Sequence, residues 1–381
     1  GNFYAMQGLV SLFMPALMGI VADRWIPAQR LLGVCHMLAG MLMLGVFLYT
    51  QTDAPSYPSL FALYSLSVAF YMPTLALSNS VAYTSLDQAG LDLVKSFPPI
   101  RVFGTVGFIC TMIAVSLLGL EATSGQFAVS AIISLVLAVY AQTLPNCPTA
   151  PKGQSKSLVE ALGLRAFVLF KQRKMALFFI FSMLLGVSLQ ITNGFANPFI
   201  STFGEIPAYA DTFGVKYANI LISLSQLSET LCILLIPFAL RRFGIRRVML
   251  IAMVAWVLRF ALLGLGNPGS GVWLFLLSMI VYGVAFDFFN VSGSLFVDQE
   301  TDPSIRSSAQ GLFMIMTNGI GATLGSLGAQ AVINHFVYSE HDTTAILAGW
   351  SMSWYIFAAY AAVVAVLFAL LFRYNSATEA K

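Results

Sequence analysis

The sequence predicts an all-α polytopic membrane protein made of two helical bundles, on three observations. Of its 381 residues 58% are hydrophobic and only 9% charged, whereas a soluble globular domain carries roughly 25% charged residues. The apolar residues come in long continuous runs. Several of these reach about the 20 residues a helix needs to cross the hydrocarbon, and none has the alternation of a barrel strand. Lysine and arginine gather at alternate breaks between the runs. Backbone N–H and C=O groups find no water inside a bilayer, so only helices and closed barrels span it; the runs decide for helices.

In chain order the expected spans are Met6 to Val21, Ala28 to Tyr49, Tyr57 to Leu86, Pro98 to Leu118 and Gln126 to Leu144. Six more follow: Met175 to Thr202, Tyr217 to Leu240, Val248 to Leu265, Gly271 to Val297, Ala309 to Phe336 and Trp350 to Phe372. Stretches of about 26 to 30 residues exceed a straight crossing and must tilt, kink or extend past the headgroups. Between the two sets lies the longest polar interval, PNCPTAPKGQSKS followed by the amphipathic LVEALGLRAFVLFKQRK. It reads as a linker over 145–174, with an N-terminal bundle over 1–144 and a C-terminal bundle over 175–381.

Orientation follows from the enrichment of Lys and Arg in cytoplasmic loops. Arg24, Arg30, Lys95, the run Lys152 to Lys174, Arg241 to Arg247, Arg306 and Arg373 fall on one side, and the opposite loops hold only Lys216. The linker and the C-terminus are therefore expected in the cytoplasm, and counting back places Gly1 outside. The net charge of +3 matters less than this placement, and no nucleic-acid partner is expected. The cysteines Cys35, Cys110, Cys147 and Cys232 stand singly, without metal or redox spacing; three are read as core packing.

Ionisable groups within the bilayer cost at least ~2.5 kcal/mol each, which makes them functional candidates. Arg101 opens FPPIRVFGTVGFI, Glu229 lies inside LISLSQLSETLCILL, Asp287 inside VYGVAFDFFNVSGS and Arg259 inside VAWVLRFALL. Arg259 is read as snorkelling or pairing structurally. The others have company at helical spacing: Gln226 with Glu229, Gln190 with Asn193, Tyr282 with Phe286, and Arg101 with Thr105 and Phe108. Amides, an acid, an arginine and aromatics suit an uncharged ligand with hydroxyls, amide-like edges and a flat ring. A nucleoside and a sugar both fit, and this chemistry leaves them level. Asp287 sits about 100° around the helix from Phe286; with Asn290 one turn on, it is a candidate proton carrier, and Glu229 is its rival. His36, His335 and His341 are isolated, and no nucleophile, base and metal constellation or cofactor motif is visible. Neither an enzyme nor a cofactor is expected.

Two loops carry a further signal. GIVADRWIPAQR places Gly19, where two helices can approach closely, before Asp23 at a helix end, with Arg24 and Arg30 flanking; PFALRRFGIRR repeats a turn glycine, Gly244, among paired arginines. The pair resembles the loop motif of the major facilitator superfamily, although Trp25 replaces the usual glycine after Arg24. Superfamily members repeat six-helix halves, so eleven of twelve helices are expected, with the family's first helix, about thirty residues, absent.

The strings FMPALMGIVAD, FPPIRVFGTVGFI, FFIFSMLLG with LQITN, SQLSET, SMIVYGVAFDFFN and SAQG are similar to bacterial nucleoside:proton symporters over essentially the whole chain. The resemblance implies a monomeric alternating-access carrier in the lipid bilayer of the bacterial inner membrane. It would take up nucleosides such as uridine, adenosine and xanthosine-like purines, with protons as the coupling ion. Nucleoside contacts would fall on Arg101, Thr105, Phe108, Gln190, Asn193, Gln226, Glu229, Tyr282 and Phe286, and proton coupling on Asp287 or Glu229. A sugar carrier of the same superfamily and a receptor that binds without transport are the competing readings.

Overall fold

The computed structural model describes residues 2–118, 120, 123–149, 165–216 and 218–373, and these contain helices and no strand. The principal helices are α1 (Asn2–Ser11), α2 (Met14–Arg24), α3 (Ala28–Thr50), α4 (Tyr57–Gln88), α5 (Leu93–Leu117), α6 (Gly125–Tyr140), α7 (Arg173–Thr202), α8 (Ala218–Leu265), α9 (Val272–Gln299), α10 (Arg306–Met314), α11 (Ala322–Ile333) and α12 (Thr343–Leu371). Pi-helical turns over Ile315–Gly321 join α10 to α11, and others over Asn334–Tyr338 prolong α11.

Two helices begin earlier than apolar runs indicate, each on an aspartate cap. Asp92 accepts the backbone N–H groups of Val94 and Lys95, so α5 starts five residues before Pro98. Asp342 accepts those of Thr344 and Ala345, which starts α12 ahead of Trp350. A carboxylate here satisfies donors that the first turn otherwise leaves open.

Ten helical stretches among the described residues are long and apolar enough to cross a membrane. One of the ten is α8, which takes in both runs that the sequence reading separates, Tyr217 to Leu240 and Val248 to Leu265, as two helical arms that meet at a kink. Its bend falls on Gly244, at φ 73° and ψ 163°, a backbone region open chiefly to glycine.

The chain packs as two compact units. The first comprises Gly1–Phe97, Val106–Ala176 and Ser294–Ile320, and the second Pro98–Thr105, Leu177–Gly293 and Gly321–Lys381. Of the expected linker, residues 150–164 lie outside the described residues, as do Tyr217 and 374–381.

In the first unit α2 and α10 meet backbone to backbone. A Cβ on Gly19 would stand 2.7 Å from the Ser307 carbonyl oxygen, and one on Gly311 2.6 Å from that of Pro15. The start of α10 has no capping side chain of its own. Asp23 caps it from α2, accepting the N–H groups of Ser307 (3.2 Å) and Ser308 (2.8 Å) and the Ser308 hydroxyl. Arg306 is buried and pairs with Asp298 at 2.5 Å and Asp87 at 3.1 Å. Beside it the Tyr83 hydroxyl lies 2.6 Å from Ser294 Oγ, which donates to Gln310 Oε1. These buried polar groups are thus joined to one another, as low-dielectric packing demands.

The second unit is packed around aromatics. Phe199 touches Phe275, Trp350 and Trp354, and Phe260 stacks on Trp354. Arg246, just past the bend in α8, donates to the carbonyls of Ala369 and Phe372 and closes the C-terminal end of α12. Cys35, Cys147 and Cys232 are buried and Cys110 is exposed.

Candidate functional site

All of the sequence-derived candidates except Phe108 belong to the second unit. From α5, a turn apart, come Arg101 and Thr105; α7 brings Gln190 and Asn193; the first arm of α8 brings Gln226 and Glu229; α9 brings Tyr282, Phe286 and Asp287. Proline at 98 and 99 lies inside α5, just before Arg101, and removes donors from that turn.

Glu229 is where α5 meets the first arm of α8. Its Oε1 accepts the Thr105 hydroxyl at 2.9 Å and lies 3.8 Å from Arg101 Nη2. Thr105 and Glu229 are buried and Arg101 half-buried. Oε2 takes no hydrogen bond among the described residues. Gln226, one turn back on the same face, is half-buried.

Tyr282 and Phe286 form a stacked pair, ring centroids 5.8 Å apart and planes within 19°. Their i, i+4 spacing on α9 produces this. Trp256 stands edge-on to Tyr282 at 6.1 Å.

Asp287 is 0% exposed, and among the described residues neither carboxyl oxygen has a hydrogen-bond partner. Asn290, expected as a neighbour one turn on, does not bond to it. A wholly buried carboxyl group without partners is rare because desolvation is uncompensated.

The other candidates differ in burial. Gln190 is half-buried and Asn193 exposed, while Phe108 is 52% exposed. Arg259 departs from the expectation of snorkelling: it is 2% exposed and forms no ion pair among the described residues. Periodicity offered no sign of this, since VAWVLRFALL has one charge in an apolar run.

A helical array of this hydrophobicity, with an acid–arginine–hydroxyl cluster, an aromatic pair and an isolated acid buried in one unit, is the architecture of a polytopic membrane transporter. A family model described as "Nucleoside H+ symporter" matches residues 1–377. The xanthosine permease of Escherichia coli (strain K12) is 50% identical over 380 residues, which is 100% of this chain and 88% of the permease. Nucleoside permease NupG of the same strain is 46% identical over 376 residues, 98% of this chain and 87% of NupG. The crystal structure of an aspartate-to-alanine mutant of nucleoside transporter NupG superposes with a TM-score of 0.75 at 44% identity, covering 98% of this chain and 90% of NupG. The human organic anion transporter MFSD10 shares the fold alone, with a TM-score of 0.71 at 14% identity over 97% of this chain and 83% of that one. The chain belongs to the nucleoside H+ symporter family. It has the major facilitator fold and is a proton-coupled nucleoside transporter of the membrane, not an enzyme.

Proposed function

We propose that Arg101, Thr105, Gln226, Glu229, Tyr282 and Phe286 bind the nucleoside, with Gln190, Asn193 and Phe108 completing its surroundings, and that Asp287 couples transport to the proton. The observation that carries this reading is the convergence of Thr105 and Arg101 on one oxygen of Glu229. That arrangement orients the carboxyl group and leaves Oε2 for a ribose hydroxyl. Tyr282 and Phe286 offer a nucleobase a stacking surface, and the Gln226 amide matches its polar edge. Asp287 has no hydrogen-bond partner among the described residues, so gain or loss of a proton there changes the local energy more than at a bonded acid. Glu229, already engaged by two side chains, is then a binding group first.

Xanthosine and other nucleosides are the proposed substrates, since the relatives' names point to them. The protein works as a monomer in the bacterial inner membrane, with bundles over 1–144 and 175–381 moving in alternating access about the linker at 145–174. Its C-terminus is cytoplasmic, as the Lys and Arg asymmetry supports.

The test is uptake of labelled uridine into proteoliposomes, with and without an inward proton gradient, competed by adenosine, xanthosine and lactose. Gradient-driven accumulation blocked by nucleosides is expected. Block by lactose alone would move the substrate to a sugar, and binding without accumulation would make the protein a receptor.

A further inference from the structure

Arg259, on the second arm of α8, is buried and makes no contact with a carboxylate among the described residues. Its Nη1 donates to the Ser278 carbonyl at 2.7 Å, and Ser278 Oγ donates back to the Arg259 carbonyl at 3.1 Å. Its Nε lies 3.4 Å from Thr192 Oγ1. The guanidinium carbon stands 4.6 Å from the centroid of the Tyr282 ring, within cation–π range. Taking an arginine out of water is costly when no carboxylate compensates it, and packing alone would be met at lower cost by an apolar side chain.

Two hydrogen bonds and a cation–π contact of one side chain therefore join three helices. Thr192 lies on α7 between Gln190 and Asn193, Ser278 lies on α9 one turn before Tyr282, and the ring is that of Tyr282 itself. The Ser278 carbonyl is also the acceptor that helical geometry assigns to the Tyr282 N–H. The guanidinium thus grips both the backbone turn that holds Tyr282 and its ring. Its planar fork makes these contacts in one fixed geometry, which the single point charge of lysine does not.

We propose that Arg259 is a positioning residue of the nucleoside site: it holds the Tyr282 ring in the orientation in which it stacks with Phe286, and ties α9 to α7. This rests on the assignment of Tyr282 to the substrate site. Arg259 does not touch the nucleoside; it acts through Tyr282.

The test is a double-mutant cycle read by equilibrium binding of labelled uridine to the purified full chain, with melting temperature followed in parallel. Arg259→Met is expected to weaken binding about tenfold, and Arg259→Lys, which keeps a cation but loses the fork, by less. In a Tyr282→Leu background, Arg259→Met should add less than about twofold, because the ring it positions is gone. A full loss in both backgrounds, or a lowered melting temperature with unchanged affinity, would overturn the proposal. If Arg259→Met does not fold, Arg259→Lys is carried through the same cycle, where additivity again refutes it. Gln226→Ala separates the two levels. If Gln226→Ala weakens binding and Tyr282→Leu does not, the role of Arg259 alone is refuted. If neither does, the site assignment fails and the role of Arg259 falls with it.

Discussion

The Thr105 hydroxyl donates to Glu229 Oε1 over 2.9 Å, joining residues 124 positions apart in the chain. Both side chains are buried, so the bond fixes the carboxyl rotamer where water does not compete for it. Thr105→Val keeps the shape and removes the donor, at about 1 to 3 kcal/mol for a bond to an acid. Nucleoside affinity should fall roughly tenfold with a modest fall in melting temperature; unchanged affinity in equilibrium binding would dismiss an orienting role for Thr105.

Asp287 and Gln226 should separate coupling from binding. Asp287→Asn keeps the size and removes the titrating group, so proton-driven accumulation should fall by an order of magnitude or more with binding within about threefold. Gln226→Ala should do the reverse, weakening binding itself. Paired measurements of uridine binding and of gradient-driven uptake decide the matter; equal loss of binding in both variants would end the division of labour.

Arg306 is the cation for Asp298, whose side chain is only 3% exposed, whereas that of its other partner Asp87 is 57% exposed. Removing the arginine strands a buried acid, a loss of about 3 to 5 kcal/mol. The surface contact with Asp87 should contribute under about 1 kcal/mol. Arg306→Gln should therefore lower the melting temperature strongly, Asp87→Asn hardly, and Arg306→Gln with Asp298→Asn should recover most of the loss. A double variant as unstable as the single would show that the pair is not the cause.

Gly311 leaves no room for a side chain, since its Cβ would lie 2.6 Å from the Pro15 carbonyl oxygen. Gly311→Val must push α10 from α2, at about 1 to 3 kcal/mol of overpacking. Gly328, with nothing within 4 Å of its Cβ position, is the control: Gly328→Ala should be neutral or stabilising by up to about 1 kcal/mol. Thermal unfolding in detergent compares the two, and equal effects would contradict the close packing.

Much of this was legible from composition and spacing, because bilayer insertion acts on local properties. Hydrocarbon excludes unpaired backbone groups, so runs of apolar residues alone announce spanning helices. The spacing of Tyr282 and Phe286 translates directly into a stacked pair, and Gly244 among its arginines marks the bend in α8. Charged or amide side chains in apolar runs likewise named Arg101, Gln226, Glu229 and Asp287 as candidates, and the motif strings named the family.

Long-range pairing was not legible, because it depends on which helices become neighbours. The sequence by itself determined a helical membrane transporter, its candidate polar residues and its family, since each rests on a window of one helix or on motif likeness. Only the tertiary structure decided that Thr105 and Arg101 share one oxygen of Glu229, that Asp287 has no hydrogen-bond partner among the described residues, that Asp23 caps α10, and that Arg259 is buried against Tyr282 instead of reaching for the surface. A side chain's partner is set by packing between distant segments, and in an apolar interior that partner, or its absence, decides what the charge can do.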